Sequence, residues 1–376
     1  MSADKTTLIR KEIQALNAYH VPDSGDMIKL DAMENPYQIP GELKDEWLLR
    51  IKNAEINRYP DPSAQALTRA LASYMGVPLY NSRGRSERQA EGEAGKNSVI
   101  LGNGSDELIQ LMAMAVAVPG RKILAPAPGF VMYSMIATFT GMEYIGVPLL
   151  ENFSLDMPAM LATIKADQPA LIFLAYPNNP TGNLFAEDEI IEIINAAQGL
   201  VVVDEAYHPF ACTSLMPRLG EFDNLLVMRT VSKMGLAGLR LGLLAGPDQW
   251  ISEFDKIRLP YNINILTQVT AEFALKHAHV FEQQASLIRQ QREWLFNALA
   301  EFSQFNVYPS RANFILLRVI DGDASNIFLA LKQQGVLIKN LHPSGGVLHQ
   351  CLRITVGTPE ENSSLIDALK KILNSA

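Results

Sequence analysis

The chain has 376 residues, 48% of them hydrophobic and 19% charged. That is enough apolar surface for a large core, in two domains or one elaborate domain, and it excludes disorder. With 24 glycines and 21 prolines in no period, collagen-like and low-complexity classes fall away too, and a net charge of −8 argues against nucleic-acid or anionic-membrane partners, which need a concentrated positive field.

Two cysteines, Cys212 and Cys351, make neither a disulfide framework nor a Cys-x-x-Cys pair, which fits a reducing cytoplasm. The N-terminal residues lack the apolar core of a signal peptide. The longest apolar stretch, 108–118, contains Gln110 and is too short to span a bilayer. The expectation is a soluble cytoplasmic protein.

In chain order, residues 81–97 (NSRGRSERQAEGEAGKN) come first as a distinct segment: mixed charge and almost no apolar side chains predict a solvated insertion. Short apolar runs then predict strands at 98–101, 122–125, 144–147, 170–174, 200–204, 225–229 and 241–245. Helical patterns at 105–118, 130–140, 157–166 and 186–197 lie between several of them. Strands apolar on both faces, alternating with helices, imply an α/β domain with a mostly parallel sheet covered on both sides. After Pro260 a Gln- and Ala-rich stretch predicts one long helix over 266–301. Shorter strands near 313–318, 336–339 and 352–356 and a final helix from Pro359 follow. The division expected is an N-terminal segment of residues 1–50, a large domain of 51–262 and a smaller α+β domain of 263–376, which the N-terminal segment joins.

Four segments carry chemistry. Gly102-Asn-Gly-Ser-Asp-Glu107 follows a strand and opens a helix: Ser105 or Asp106 can cap it, and its free amides suit an anion, although an ordinary capped helix reads the same way. Pro177-Asn-Asn-Pro-Thr-Gly182 is either a plain turn or a loop that places the Asn179 amide at the carboxyl end of a parallel strand, where open α/β sheets bind ligands. In Val201-Val-Val-Asp-Glu-Ala-Tyr207, Asp204 ends a buried strand. Its carboxylate is a helix cap, half of a structural ion pair, or the counter-charge of a protonated heterocycle with the Tyr207 hydroxyl nearby. Thr230-Val-Ser-Lys233, followed by Gly-Leu-Ala-Gly-Leu-Arg240, gathers hydroxyls, an amine and an arginine. A lysine whose pKa is lowered by cations or desolvation attacks carbonyls. A lone Ser-Lys is usually surface, but four such segments at strand ends are not readily independent.

In this order the motifs resemble the fold-type I aminotransferases that use pyridoxal 5′-phosphate (PLP), and among them the histidinol-phosphate aminotransferase family. The resemblance runs from about Glu34 to Pro359 and includes Glu34-Asn-Pro-Tyr37, Arg58-Tyr-Pro-Asp61, Ala312-Asn-Phe314 and Leu352-Arg-Ile-Thr-Val-Gly357. It implies that Lys233 binds the cofactor covalently and then shuttles a proton. Asp204 would pair with the pyridinium nitrogen, and Asn179 and Tyr207 with the phenolic oxygen. Gly104, Ser105, Asp106, Thr230, Ser232 and Arg240 would hold the phosphate, with Phe130 stacked on the ring. Tyr59 would reach the phosphate of the opposite subunit, making a homodimer part of the site. Tyr19, Asn179, Lys339 and Arg353 would bind substrate, taken as L-histidinol phosphate and 2-oxoglutarate in histidine biosynthesis, with no metal, nucleic acid or membrane involved. Many relatives have one more residue between lysine and arginine than Lys233 to Arg240, an arginine at Lys339 and a small hydroxyl residue at Gly129. An aromatic amino-acid aminotransferase or an amino-acid phosphate decarboxylase of the same fold is the alternative.

Overall fold

The structure, a computed structural model, describes residues 8–18, 22–77 and 97–374. The expected insertion at 81–97 falls outside the described residues except for Asn97, and so does Tyr19.

Seven strands form the large sheet: β1 (Asn97–Gly102), β2 (Lys122–Ala127), β3 (Glu143–Pro148), β4 (Leu171–Ala175), β5 (Leu200–Asp204), β6 (Leu225–Thr230) and β7 (Gly242–Pro247). Their order is β1-β7-β6-β5-β4-β2-β3. Strands β6, β5, β4, β2 and β3 pair in parallel, whereas β7 runs antiparallel to both β6 and β1. The expectation of a mostly parallel sheet holds, with one reversed strand. The reversal matters for position: Gly242 begins β7 opposite Gly102 and Thr230, so its start lies on the edge where the other strands end.

Every residue of β4, β5 and β6 is buried, as strands covered on both faces must be. Alternate residues serve opposite cores. Leu171, Phe173, Leu200 and Val202 pack with Leu108, Ile109, Met112 and Ile136 on one face, while Ile172, Leu174, Val201 and Val203 pack with Leu67, Leu71, Ile190 and Ile193 on the other.

The expected single helix over 266–301 is two helices, Ile265–Lys276 and Ala278–Ala300. His277 sits between them at φ −111°, ψ 29°, its N–H bonded to Ala274 O. No Pro or Gly marks that break. The first helix and the start of the second, through Phe281, pack with the large sheet's apolar cluster, and from Ala285 onward the second packs with the small sheet's.

The small sheet orders β10 (Lys339–Asn340), β11 (Cys351–Thr355), β9 (Phe314–Val319) and β8 (Phe305–Val307), all antiparallel. Strand β8 and the helix Ala324–Gln333, capped by Asp323, were not among the expected elements. The N-terminal segment does reach this body. Ile28 and Lys29 pair in parallel with Val336 and Leu337, Leu30 O accepts from Thr355 N, and Asn313 Nδ2 donates to Met33 O. That carries residues 31–35 to the edge where the large strands end.

Candidate active site

The ends of β4, β5 and β6 and the start of the helix Ser105–Val116 surround a cavity of about 420 Å³. Its wall brings together Ser105, Asp106, Phe130, Asn179, Asp204, Tyr207, Thr230, Ser232, Lys233 and Arg240, which the sequence had singled out one segment at a time. Residues without an expected role line it as well, Glu34 and Pro177 among them.

The helix start differs from expectation: neither Ser105 nor Asp106 caps it. Gly104 is the cap residue and makes no side-chain bond, so the first amides are not consumed by a cap; Glu107 instead takes Asn103 N–H and Asn262 Nδ2. Asp106 reaches Arg240, with Oδ2 2.8 Å from Nη2. Gly104 has φ +84°, and a Cβ there would stand 2.6 Å from Arg240 Nη2. A Cβ on Gly242 would meet the backbone of Gly104 and Ser105 at 2.8–2.9 Å. Backbone amides, hydroxyls and a guanidinium thus converge on one small hollow. Thr230 Oγ1 and Ser232 Oγ stand 2.8 Å apart on its other side, and Thr230 Oγ1 donates to Leu241 O.

Lys233 lies in a 3₁₀ turn directly after β6, with Nζ 5.6 Å from the centroid of the Tyr207 ring. Burial lowers its pKa to about 8, with Arg353 and Arg240 adding repulsion against the opposing pull of Glu34 and Asp106. The short path from Lys233 to Arg240 is closed by Gly235 at φ +120° and Arg240 at φ +48°. At Gly235 a Cβ would come 2.7 Å from Asn35 Nδ2, which donates to Met234 O and Gln284 Oε1. Gly129 also has a local reason: a Cβ there would be 2.6 Å from Pro126 O, leaving no room for a hydroxyl side chain.

Asp204 is 4% exposed. Its Oδ1 accepts from Ala206 N at 3.1 Å and its Oδ2 from Tyr133 Oη at 2.7 Å. Burial pushes its pKa up to about 6, against the pull of those two donors. Tyr133 had no expected role; its contact spans two distant segments, and only its place one helical turn after Phe130 hints at it. Across the cavity Asn179 Nδ2 donates to Tyr207 Oη at 3.0 Å, and Asn179 Oδ1 accepts from Arg353 Nη1 at 2.7 Å. Arg353 also donates to Asp31 O at 2.9 Å. Lys339 stands directly across from Arg353 in the β10–β11 pair, so both side chains share a face. Tyr59 lies apart from the cavity, 81% exposed and stacked on Tyr261 at 4.5 Å. Among the described residues no cluster of side chains suits a metal ion.

This donor set fits PLP: an amine of lowered pKa for its aldehyde, an anion cradle for its phosphate, and a buried carboxylate for its ring nitrogen. A family model for class I and II aminotransferases matches residues 25–369. The chain belongs to the class I and II aminotransferases. It is therefore a PLP-dependent transaminase. It is 54% identical to a histidinol-phosphate aminotransferase of Nitrosococcus oceani, over 96% of each chain. It is 50% identical to another from Cupriavidus pinatubonensis, covering 96% of this chain and 95% of that one. Its fold matches the crystal structure of histidinol-phosphate aminotransferase from Sinorhizobium meliloti in complex with PLP, with a TM-score of 0.81, 22% identity and 98% of both chains covered. Fold-type I architecture is thus shown, as the motifs implied.

Proposed function

We propose that this transaminase moves the amino group of L-histidinol phosphate to 2-oxoglutarate, giving imidazole acetol phosphate and glutamate. Identity of about half the residues along nearly the whole chain to histidinol-phosphate aminotransferases carries the reading.

In this reading the amides of Gly104, Ser105 and Asp106 would hold the cofactor's phosphate with Thr230, Ser232 and Arg240. Phe130 would stack on the ring, and Asn179 and Tyr207 would donate to the phenolic oxygen. When bound, PLP supplies an electron sink for the charge left as a proton leaves the amino-bearing carbon of the substrate. The chain's own groups do the rest. Lys233 would supply the amine that holds the cofactor, and its freed Nζ would serve as the base that takes the proton from the substrate's carbon and delivers it to the cofactor's. At pH 8, with a pKa of about 8, half of it is the neutral base; an ordinary lysine near pKa 10.4 would be neutral only about 0.4% of the time. Asp204, ionised above about pH 6, keeps the ring nitrogen protonated. Arg353, held by Asn179 and Asp31 and flanked by Lys339, would take the acidic group of either substrate, and the family resemblance assigns Tyr19 to substrate binding too. Residues 1–50, 51–262 and 263–376 would act as segment, large domain and small domain of a cytoplasmic homodimer. Free thiols at Cys212 and Cys351 accord with that compartment. No described helix is long and apolar enough to cross a membrane.

The test offers purified holoenzyme L-histidinol phosphate, phenylalanine and threonine phosphate in separate half-reactions, following the cofactor's visible absorption. Conversion with the first is expected to be at least about tenfold faster than with either other donor, a difference one well-made ionic contact can supply. Silence with histidinol phosphate while another donor reacts would refute the assignment.

A further inference from the structure

We propose that Tyr133 is a positioning residue for the reaction, acting through Asp204: its hydroxyl holds that carboxylate ionised and fixes the direction in which it faces the cofactor's ring nitrogen. The inference rests on the reading of Asp204 as the partner of that nitrogen.

Three elements build the arrangement. Asp204 ends β5, Phe173 lies in the neighbouring β4, and Tyr133 is the second residue of the helix Met132–Thr140, which follows β2. The Tyr133 ring stacks on Phe173 at 4.6 Å and 10°, and meets Phe130 edge-on at 5.5 Å and 86°. Only 1% exposed, it is clamped on a face and an edge, so its hydroxyl has one direction in which to point. That direction ends on Asp204 Oδ2 at 2.7 Å, the length of a charge-assisted bond. The Ala206 amide holds Oδ1, so the carboxylate cannot turn about its Cβ–Cγ bond without losing both donors.

Charge at the site calls for the same donor. Burial drives Asp204 towards its neutral form, and the carboxylates of Asp106 and Glu205 reinforce that drive. Lys233, Arg240 and Glu34 line the same cavity, and Tyr144 and Tyr207 flank the Tyr133 hydroxyl. A hydrogen bond donated to the charged form opposes neutralisation. Tyr133 itself, buried and beside a carboxylate, is pushed well above the usual phenol range and so remains a donor. Because Phe130 touches the same ring, the group expected to stack on the cofactor and the group expected to bind its nitrogen share one support.

Tyr133→Phe keeps the packing and removes only the hydroxyl. PLP affinity is read by equilibrium dialysis against the apoprotein, the acid limb by kcat against pH, and substrate saturation by KM. The variant is expected to bind PLP about tenfold more weakly at pH 7, to move the acid limb about one pH unit upward, and to leave KM within about threefold. An unmoved acid limb with unchanged PLP affinity would overturn the proposal. Asp204→Asn separates this failure from that of the underlying reading: if it too leaves PLP affinity intact, the role of Asp204 is wrong, whereas a severe loss beside a silent Tyr133→Phe removes Tyr133 alone. In the Asp204→Asn background, removing the Tyr133 hydroxyl is expected to change PLP affinity less than about twofold, and a full tenfold effect there contradicts action through Asp204. Should Tyr133→Phe not fold, Phe173→Leu loosens the clamp with the hydroxyl still present, and an unshifted acid limb in that variant also overturns the idea.

Discussion

Asp204 and Lys233 are displaced by the same burial in opposite directions, the acid upward to about 6 and the base downward to about 8. Both displacements have a cost in the apoprotein. Asp204 has a folded pKa above the 3.8 it starts from, so its protonated form favours folding, and that benefit is lost as pH rises through about 6. Asp204→Asn should therefore stabilise the apoprotein at pH 7 by on the order of 3 kcal/mol, read as a higher thermal midpoint, with the difference fading below about pH 4. The same variant should lower turnover of the holoenzyme by far more than tenfold, since it removes charge that supports the transition state. Lys233 works the other way. Its folded pKa lies below its unfolded one, so the cost of burying its charge is present below about pH 8 and disappears as pH rises past 10.5. Lys233→Met should stabilise the apoprotein at pH 7 and not at pH 11, while abolishing transamination. A less stable apoprotein at pH 7 would contradict either assignment. At this scale the motifs were legible because each is short and local. Tyr133 was not, since its partner is 71 residues away and only packing brings the two together.

Elements were legible wherever apolar period and length agreed. The runs behind β4, β5 and β6 mark strands buried on both faces, and the structure places them there. The break at His277 was hidden because propensity varies little along that stretch, and the reversal of β7 because strand direction leaves no trace in a short apolar run. Contacts between element ends were hidden too. Arg229, one residue before Thr230, and Glu205, one after Asp204, form a buried pair with Nε 2.8 Å from Oε2, which ties the active-site ends of β5 and β6. Glu205 also accepts from Leu215 N and Ser214 Oγ. Arg229→Ala would leave Glu205 buried without its partner and should cost about 3–5 kcal/mol in denaturant unfolding. A loss below about 1 kcal/mol would show that the tie is dispensable. Gly242→Ala pushes a methyl into the backbone of Gly104 and Ser105 and should weaken PLP binding at least about tenfold with a stability loss of about 1–3 kcal/mol. Gly41→Ala, with open space at that position, is the neutral comparison.

For the molecule as a whole, the proposed homodimer would add a residue of the second chain to each site. Tyr59 is 81% exposed and stacks on Tyr261, and Ile56 and Leu259, near these two in the chain, are 76% and 72% exposed. In the proposed homodimer this face meets the second subunit. Mixing Lys233→Ala with Tyr59→Ala chains at limiting PLP should then restore activity through one intact site per hybrid dimer; mixtures no better than their parents would contradict a shared site. The central claim is nonetheless a single bond, between the Lys233 amine and the cofactor's aldehyde. Borohydride reduction of the holoenzyme, followed by proteolysis and mass mapping, tests it most directly. One pyridoxyl label per chain is expected, on the peptide that contains Lys233. A label on another lysine, or none, would contradict it.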